Sequence, residues 1–170
     1  ELCALALSGI YLDCPKYYYS SLKRLKKELD SQIYIDGIPY EGSIPYIRFI
    51  LEFLILLYKA IQGSEYDEPE FLLKYIKKIS ISLSNLVSKS GLLPPIGDGD
   101  EGRVIKFDDE PYLNVNETLH ASGIIIDRNL APRKVTNLFC KSIFGKSRKG
   151  LKEIQTFEYM KSSGLIHLNY

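Results

Sequence analysis

Two stretches of the chain gather charged and phenolic side chains among turn residues. One runs Asp36-Gly37-Ile38-Pro39-Tyr40-Glu41-Gly42-Ser43-Ile44-Pro45-Tyr46-Ile47-Arg48, the other Gly91-Leu92-Leu93-Pro94-Pro95-Ile96-Gly97-Asp98-Gly99-Asp100-Glu101-Gly102-Arg103. Arg103 has the chemistry of an anion grip, because a guanidinium offers a rigid fork to a carboxylate or sulfate. The plainer and preferred reading pairs it with Asp98 and Asp100 as a staple across its own loop. Glu41 suits a helix cap that accepts backbone N–H bonds, or a brace for Arg48 or a sugar hydroxyl, and the cap is the better expectation. The spacing of Asp98 and Asp100 also suggests a calcium loop, but the other ligands of an EF-hand are absent.

Other chemistries find less support. His120 and His167 have no Ser, Cys or Asp partner at an interpretable spacing, so a hydrolase triad is not indicated. His120 reads as a packing or surface residue. Cys3, Cys14 and Cys140 are odd in number, far apart and without a CxxC pair, which argues against a disulfide framework and against zinc. The formal charge of +1, from 22 basic and 21 acidic residues, gives no global field for nucleic acid or a membrane surface. Any anion recognition must be local. The basic run Lys146, Arg148, Lys149 and Lys152 reads as a solvated connector, with polyanion binding as the lesser alternative.

Helices must position these groups. Leu2, Leu5, Ala6 and Gly9 recur at helical spacing until Pro15, and Leu22, Leu25, Leu29 and Ile33 mark a second, amphipathic helix from about Tyr17. A third runs from about Ser43–Tyr46 to Gln62. Its Ile47, Ile50, Leu51, Leu54, Tyr58 and Ile61 share one face, while Phe49, Phe53, Leu56 and Leu57 make the far side apolar, so burial on both flanks is expected. A fourth starts at Asp67-Glu68-Pro69-Glu70 and closes at Ser90-Gly91, with Phe71, Tyr75, Ile76, Ile79, Leu83 and Leu86 inward. Weaker helical patterns cover about Tyr112–Ile126 and Val135–Ile143. From Ile154 the period changes, and two short strands are expected around Ser162-Ser163-Gly164. The apolar run Phe49–Tyr58 is interrupted by Glu52 and is shorter than the ~20 residues of a bilayer crossing. No signal-peptide pattern opens the chain, and Glu1 leads straight into a periodic segment, as expected of a chain that begins inside a structure.

The first of the two stretches resembles the "DG…E-S-x-x-Y-H-R" segment of heparinase II/III-like and related alginate lyases. The second resembles that family's "G-x-x-P-x-I-G-D-x-D-x-G-R" loop, and the order of the two, with two helices between them, is also similar. Thr156-Phe157 through Ser163-Gly164-Leu165 is a weaker match to the family's entry into its β-domain. The resemblance implies a mainly α fold: a partial α/α toroid, or incomplete helical barrel, over residues 1–150, then the start of a β-sandwich over 151–170. On periodicity alone a plain helical bundle fits nearly as well.

Lyases of this kind cut a glycosidic bond beside a uronic acid by β-elimination, with a tyrosine as base, acid or both. The motif match puts that tyrosine at Tyr46, with Arg48, Glu41, Asp98, Asp100 and Arg103 as substrate-binding candidates. A phenol has an ordinary pKa of about 10, so a positive helix end and Arg48 are expected to favour the phenolate. Ile47 stands where the family commonly carries a histidine. The family's acid-neutralising Asn is expected before Glu1. Its further histidines, with a possible divalent metal, are expected after Tyr170, and no cofactor is expected in these residues. The chain alone is accordingly expected to lack lyase activity. The implied partner is an acidic polysaccharide, and the implied setting is periplasmic or extracellular. A catalytically inactive glycan-binding relative is the second reading, and a helical scaffold for protein partners the third.

Overall fold

The computed structural model describes residues 1–99, 102–106, 111–135, 137–145 and 157–168, the last group with side chains at 160–164 only. These residues make a mainly α chain of six helices: α1 Leu2–Tyr11, α2 Pro15–Gln32, α3 Ile44–Gln62, α4 Glu70–Leu86, α5 Asn116–Ile125 and α6 Leu138–Phe144. Two short strands, β1 Phe157–Met160 and β2 Leu165–Leu168, pair antiparallel with Phe157 opposite Leu168. Thr156, Asn169 and Tyr170, expected in these strands, lie outside the described residues, as does the basic run from Lys146 to Lys152.

Short loops fold α1 back on α2 and α3 on α4, and α3 also touches α1 and α5. The apolar stripes explain this packing. Leu22, Leu25 and Leu29 of α2, Ile47, Leu51, Leu54 and Ile61 of α3, and Tyr75, Ile76, Ile79 and Leu83 of α4 are all buried in one core. Removing such side chains from water is the main term that holds the helices together, at roughly 25 cal/mol per Å² of apolar surface.

The far flank of α3 differs from expectation. Leu57 is buried, but Leu56 is exposed and Phe49 and Phe53 are only half-buried. The two phenyl rings meet edge to face at 4.9 Å and line, with α1 and α2, an open groove of about 470 Å³. Among the described residues nothing covers that groove. Helix α4 also stops sooner than Ser90. Val87 turns extended, and the chain closes a small loop in which Ser88 N–H donates to Leu92 O and Gly91 N–H to Ser88 O. The Leu92 amide also donates to the Ser88 hydroxyl at 3.1 Å, a bond that competes with continued helix.

The loop from α2 to α3 is tied down at Gly37, whose φ of +86° suits glycine. A Cβ there would lie 2.8 Å from the carbonyl oxygen of Lys78 on α4. The close approach lets the Ser82 hydroxyl donate to the Asp36 carbonyl. The Asp36 carboxylate in turn accepts the backbone N–H groups of Ser162 (2.9 Å) and Ser163 (2.8 Å), which seats the β1–β2 turn on the helices.

Tyr75 of α4 donates its hydroxyl to the Asp30 carboxylate of α2 at 2.6 Å. Burial, then this bond, push the Tyr75 phenol up to about 12, and hydrogen bonds from Lys26 and Tyr75 hold Asp30 below the usual carboxylate range. Both shifts favour neutral Tyr75 beside ionised Asp30. A raised phenol pKa contributes stability that is full below the ordinary value of 10.0 and is lost as pH climbs toward about 12. Urea unfolding as a function of pH should show a loss over that window, smaller in Tyr75→Phe. Identical alkaline profiles for the two proteins would refute the assignment.

Candidate functional site

The two motif stretches meet at the start of α3. Ser43 is the residue before the helix, yet its hydroxyl makes no cap bond within it. It reaches across to donate to Asp98 O at 2.6 Å, and the Ile44 amide donates to Ile96 O at 3.0 Å. One of the free N–H groups of a helix start is thereby satisfied from the second loop. Gly97, with φ +80°, permits the contact: a Cβ there would stand 2.7 Å from Ser43 Cα. Glu41 is exposed and does not cap α3, because Ser43 and the loop carbonyls occupy that place.

The second stretch is pinched at its neck. Leu93 N–H donates to Leu113 O and Val115 N–H to Gly91 O, so residues 91–93 run beside 113–115. This pairing also explains why α5 begins at Asn116 rather than near Tyr112. Asn114 and Asn116 finish the joint: Asn114 Oδ1 accepts the Asn116 amide at 3.0 Å, and Asn116 Oδ1 accepts the Arg133 amide at 2.9 Å.

Arg48 and Glu52 hold the middle of the loop. They lie one turn apart on the inner side of α3 and are 1% and 2% exposed, with Arg48 Nε 3.6 Å from Glu52 Oε1. Arg48 Nη2 donates to Gly102 O at 2.8 Å. Glu52 Oε2 accepts the amides of Val104 at 2.8 Å and Ile105 at 3.3 Å, and its Oε1 accepts the Thr118 hydroxyl of α5 at 2.9 Å. One carboxylate thus joins α3, the loop and α5. Burial lowers the pKa of Arg48, Glu52 opposes that shift, and nearby Arg103 adds to it. Arg48 Nε and Nη1 make no hydrogen bond. Arg48 lines a cavity of about 10 Å³, with Arg103, Asn114 and Glu117, that has room for about one water molecule.

The expected site residues lie at different depths. Arg48 is inside the protein and binds its own chain, so its charge is offset by Glu52. Arg103 lies beside Arg48 and Glu117 at the cavity, and Asp98 is exposed, with its carbonyl engaged by Ser43. Asp100 lies outside the described residues. Tyr46 is half-buried in the first turn of α3, three residues beyond the Ser43 anchor. Tyr112, also half-buried, was not distinguished by any motif among 13 tyrosines. Its hydroxyl would lie 3.1 Å from a Cβ on Gly99, which puts a second phenol against the same loop. His120 is buried and its Nε2 lies 3.0 Å from Gly145 O, a packing role between α5 and the end of α6. Among the described residues no group of three or more His, Cys, Asp or Glu side chains could hold a metal ion, and no helix is long and apolar enough to cross a membrane.

Compared with known protein families, with curated proteins and with solved structures, the chain matches none.

Removing the Glu52 carboxylate strands a buried guanidinium. Glu52→Ala should therefore cost about 3–5 kcal/mol in urea unfolding. Arg48→Met/Glu52→Met should cost less than Glu52→Ala alone, since no buried charge remains. A double variant less stable than the single one would show that the charges do not act as a pair.

Proposed function

We propose that this chain is the helical part of a polysaccharide lyase that cleaves uronic-acid-containing polysaccharide by β-elimination. The observation that carries the reading is the junction of the two motif stretches, Ser43 to Asp98 and Arg48 to Gly102. Segments 55 and 54 residues apart in sequence are thereby joined at the start of α3. In this reading the α1–α2 and α3–α4 hairpins belong to an α/α toroid, and the β1–β2 hairpin opens a β-sandwich. A setting outside the cytoplasm and a divalent metal in the β-domain follow from the same resemblance.

Elimination removes the C5 proton of the uronate and expels the glycosidic oxygen, leaving a C4–C5 double bond. Tyr46 as phenolate takes the C5 proton; as phenol it then delivers a proton to the leaving oxygen. The start of α3 favours negative charge at that point, while Arg48, paired with Glu52, contributes less than an uncompensated cation would. Arg48 and Glu52 serve as positioning residues. Arg103 and Asp98 remain the substrate-binding candidates of this loop.

One observation favours a second reading, a relative that binds glycan without cleaving it. Ile47, where a histidine is common in the family, is fully buried and packs in the core. With isoleucine there, no imidazole at this position can take part in proton transfer.

In the chain extended through its β-domain, Tyr46→Phe should reduce formation of unsaturated product from uronic-acid polysaccharides by about 10²–10⁴-fold while affinity stays nearly constant. Turnover unaffected by the substitution would remove Tyr46 from the chemistry. Binding without turnover in the unsubstituted protein would select the second reading.

A further inference from the structure

The opposite end of α3 carries a feature the lyase reading does not use. Tyr18, Tyr19 and Tyr66 form a ring cluster: Tyr18 meets Tyr66 at 4.4 Å, Tyr19 edge-on at 5.1 Å, and Tyr19 meets Tyr66 at 6.2 Å. Tyr18 is buried, but Tyr19 is 51% exposed, and neighbouring Tyr17 and Tyr11 are 43% and 88% exposed. Packing accounts for Tyr18 and leaves the exposed ring of Tyr19 and the half-buried ring of Tyr66, which meet each other, unexplained.

The platform is preorganised. Tyr18 donates to Asp67 O at 2.6 Å, and Tyr66 donates to the Asp13 carboxylate at 3.1 Å, so the α1–α2 and α3–α4 loops fix two of the rings. Tyr66 also forms a wall of an open cleft of about 740 Å³ whose rim offers Lys59, Gln62, Ser64 and Glu68. A rigid aromatic wall beside amide, hydroxyl and charged groups is what a sugar requires. The weakly positive C–H face of a pyranose stacks on the negative face of a ring, while its hydroxyls reach the polar rim.

Charge narrows the ligand. The α3–α4 loop contributes Glu65, Asp67 and Glu68, and Asp13 lies across from them. After burial and the neighbouring Tyr19, the Asp67 and Glu68 charges contribute to pushing the Tyr18 phenol up to about 12, which reports a negative field at the cluster. These four carboxylates outnumber the cleft's Lys59 and so disfavour a polyanion. We propose that this face binds neutral pyranose units of a glycan, at a site about 24 Å along the α3 axis from Tyr46. The proposal stands independently of the lyase reading.

Titration calorimetry of the chain with cellohexaose, mannohexaose and chitohexaose, and with a galacturonate hexamer, tests it. At least one neutral hexamer should bind with a Kd in the millimolar range or tighter, and the galacturonate more weakly. Tyr19→Ala should weaken binding about fivefold to tenfold, and Tyr19→Phe, which keeps the ring, about twofold or less. Gln62→Ala should weaken it as well, without touching the cluster. Tyr46→Phe should leave it unchanged, so the fate of this site is read separately from that of the lyase mechanism. No binding of any neutral hexamer up to about 10 mM, affinity indifferent to Tyr19→Ala, or tighter Tyr19-dependent binding of the galacturonate would overturn the proposal.

Discussion

The buried contact between Glu52 and its four partners is the constraint on which the site rests. A carboxylate taken out of water costs several kcal/mol unless its lone pairs are used and its charge is balanced. Here the Arg48 guanidinium balances the charge, and the Val104, Ile105 and Thr118 donors use the oxygens. The same arrangement makes the loop after Gly97 depend on α3, and α3 depend on the loop for its first N–H bond at Ile44. Loss of either side leaves buried polar groups unpaired. Residues 102–105 are therefore held by hydrogen bonds to the buried Arg48–Glu52 pair.

This dependence gives the proposed chemistry its geometry. Tyr46 belongs to the first turn of a helix whose start is fixed by Ser43 on Asp98 and whose second turn is fixed by Arg48 on Gly102. A proton-handling group gains from such rigidity, because misplacement by about an ångström costs orders of magnitude in rate. The aromatic cleft at the other end of α3 is built on different contacts, Tyr18 to Asp67 and Tyr66 to Asp13. The two ends of one helix thus present unlike surfaces, one organised by a buried ion pair and one by exposed rings in an acidic field.

The helices were readable because apolar spacing is local: Leu22, Leu25 and Leu29, or Ile76, Ile79 and Leu83, announce their own faces. Boundaries were less so. Val87 leaves α4 because a serine hydroxyl and a glycine close the following turn, and Asn116 opens α5 because the preceding residues pair with a strand-like segment 22 residues upstream. Such pairing has no signature at either position alone. That the two stretches gather turn and charged residues was legible, but their contacts with each other and their internal roles were not. Glu52 was read only as an interruption of an apolar run, although an acid one turn after Arg48 in a buried helix is the pattern of an internal ion pair. Glu41 was preferred as a cap, and the nearer Ser43 instead links the helix start to the loop.

Amide hydrogen exchange at Val104 and Ile105 addresses the central claim most directly, because both N–H groups point at the Glu52 carboxylate. The account predicts strong protection at both amides in the unsubstituted chain and its loss in Glu52→Ala, with the α2 core amides still protected. Exchange at the rate of an unstructured peptide in the unsubstituted chain, or protection that persists without the carboxylate, would contradict it.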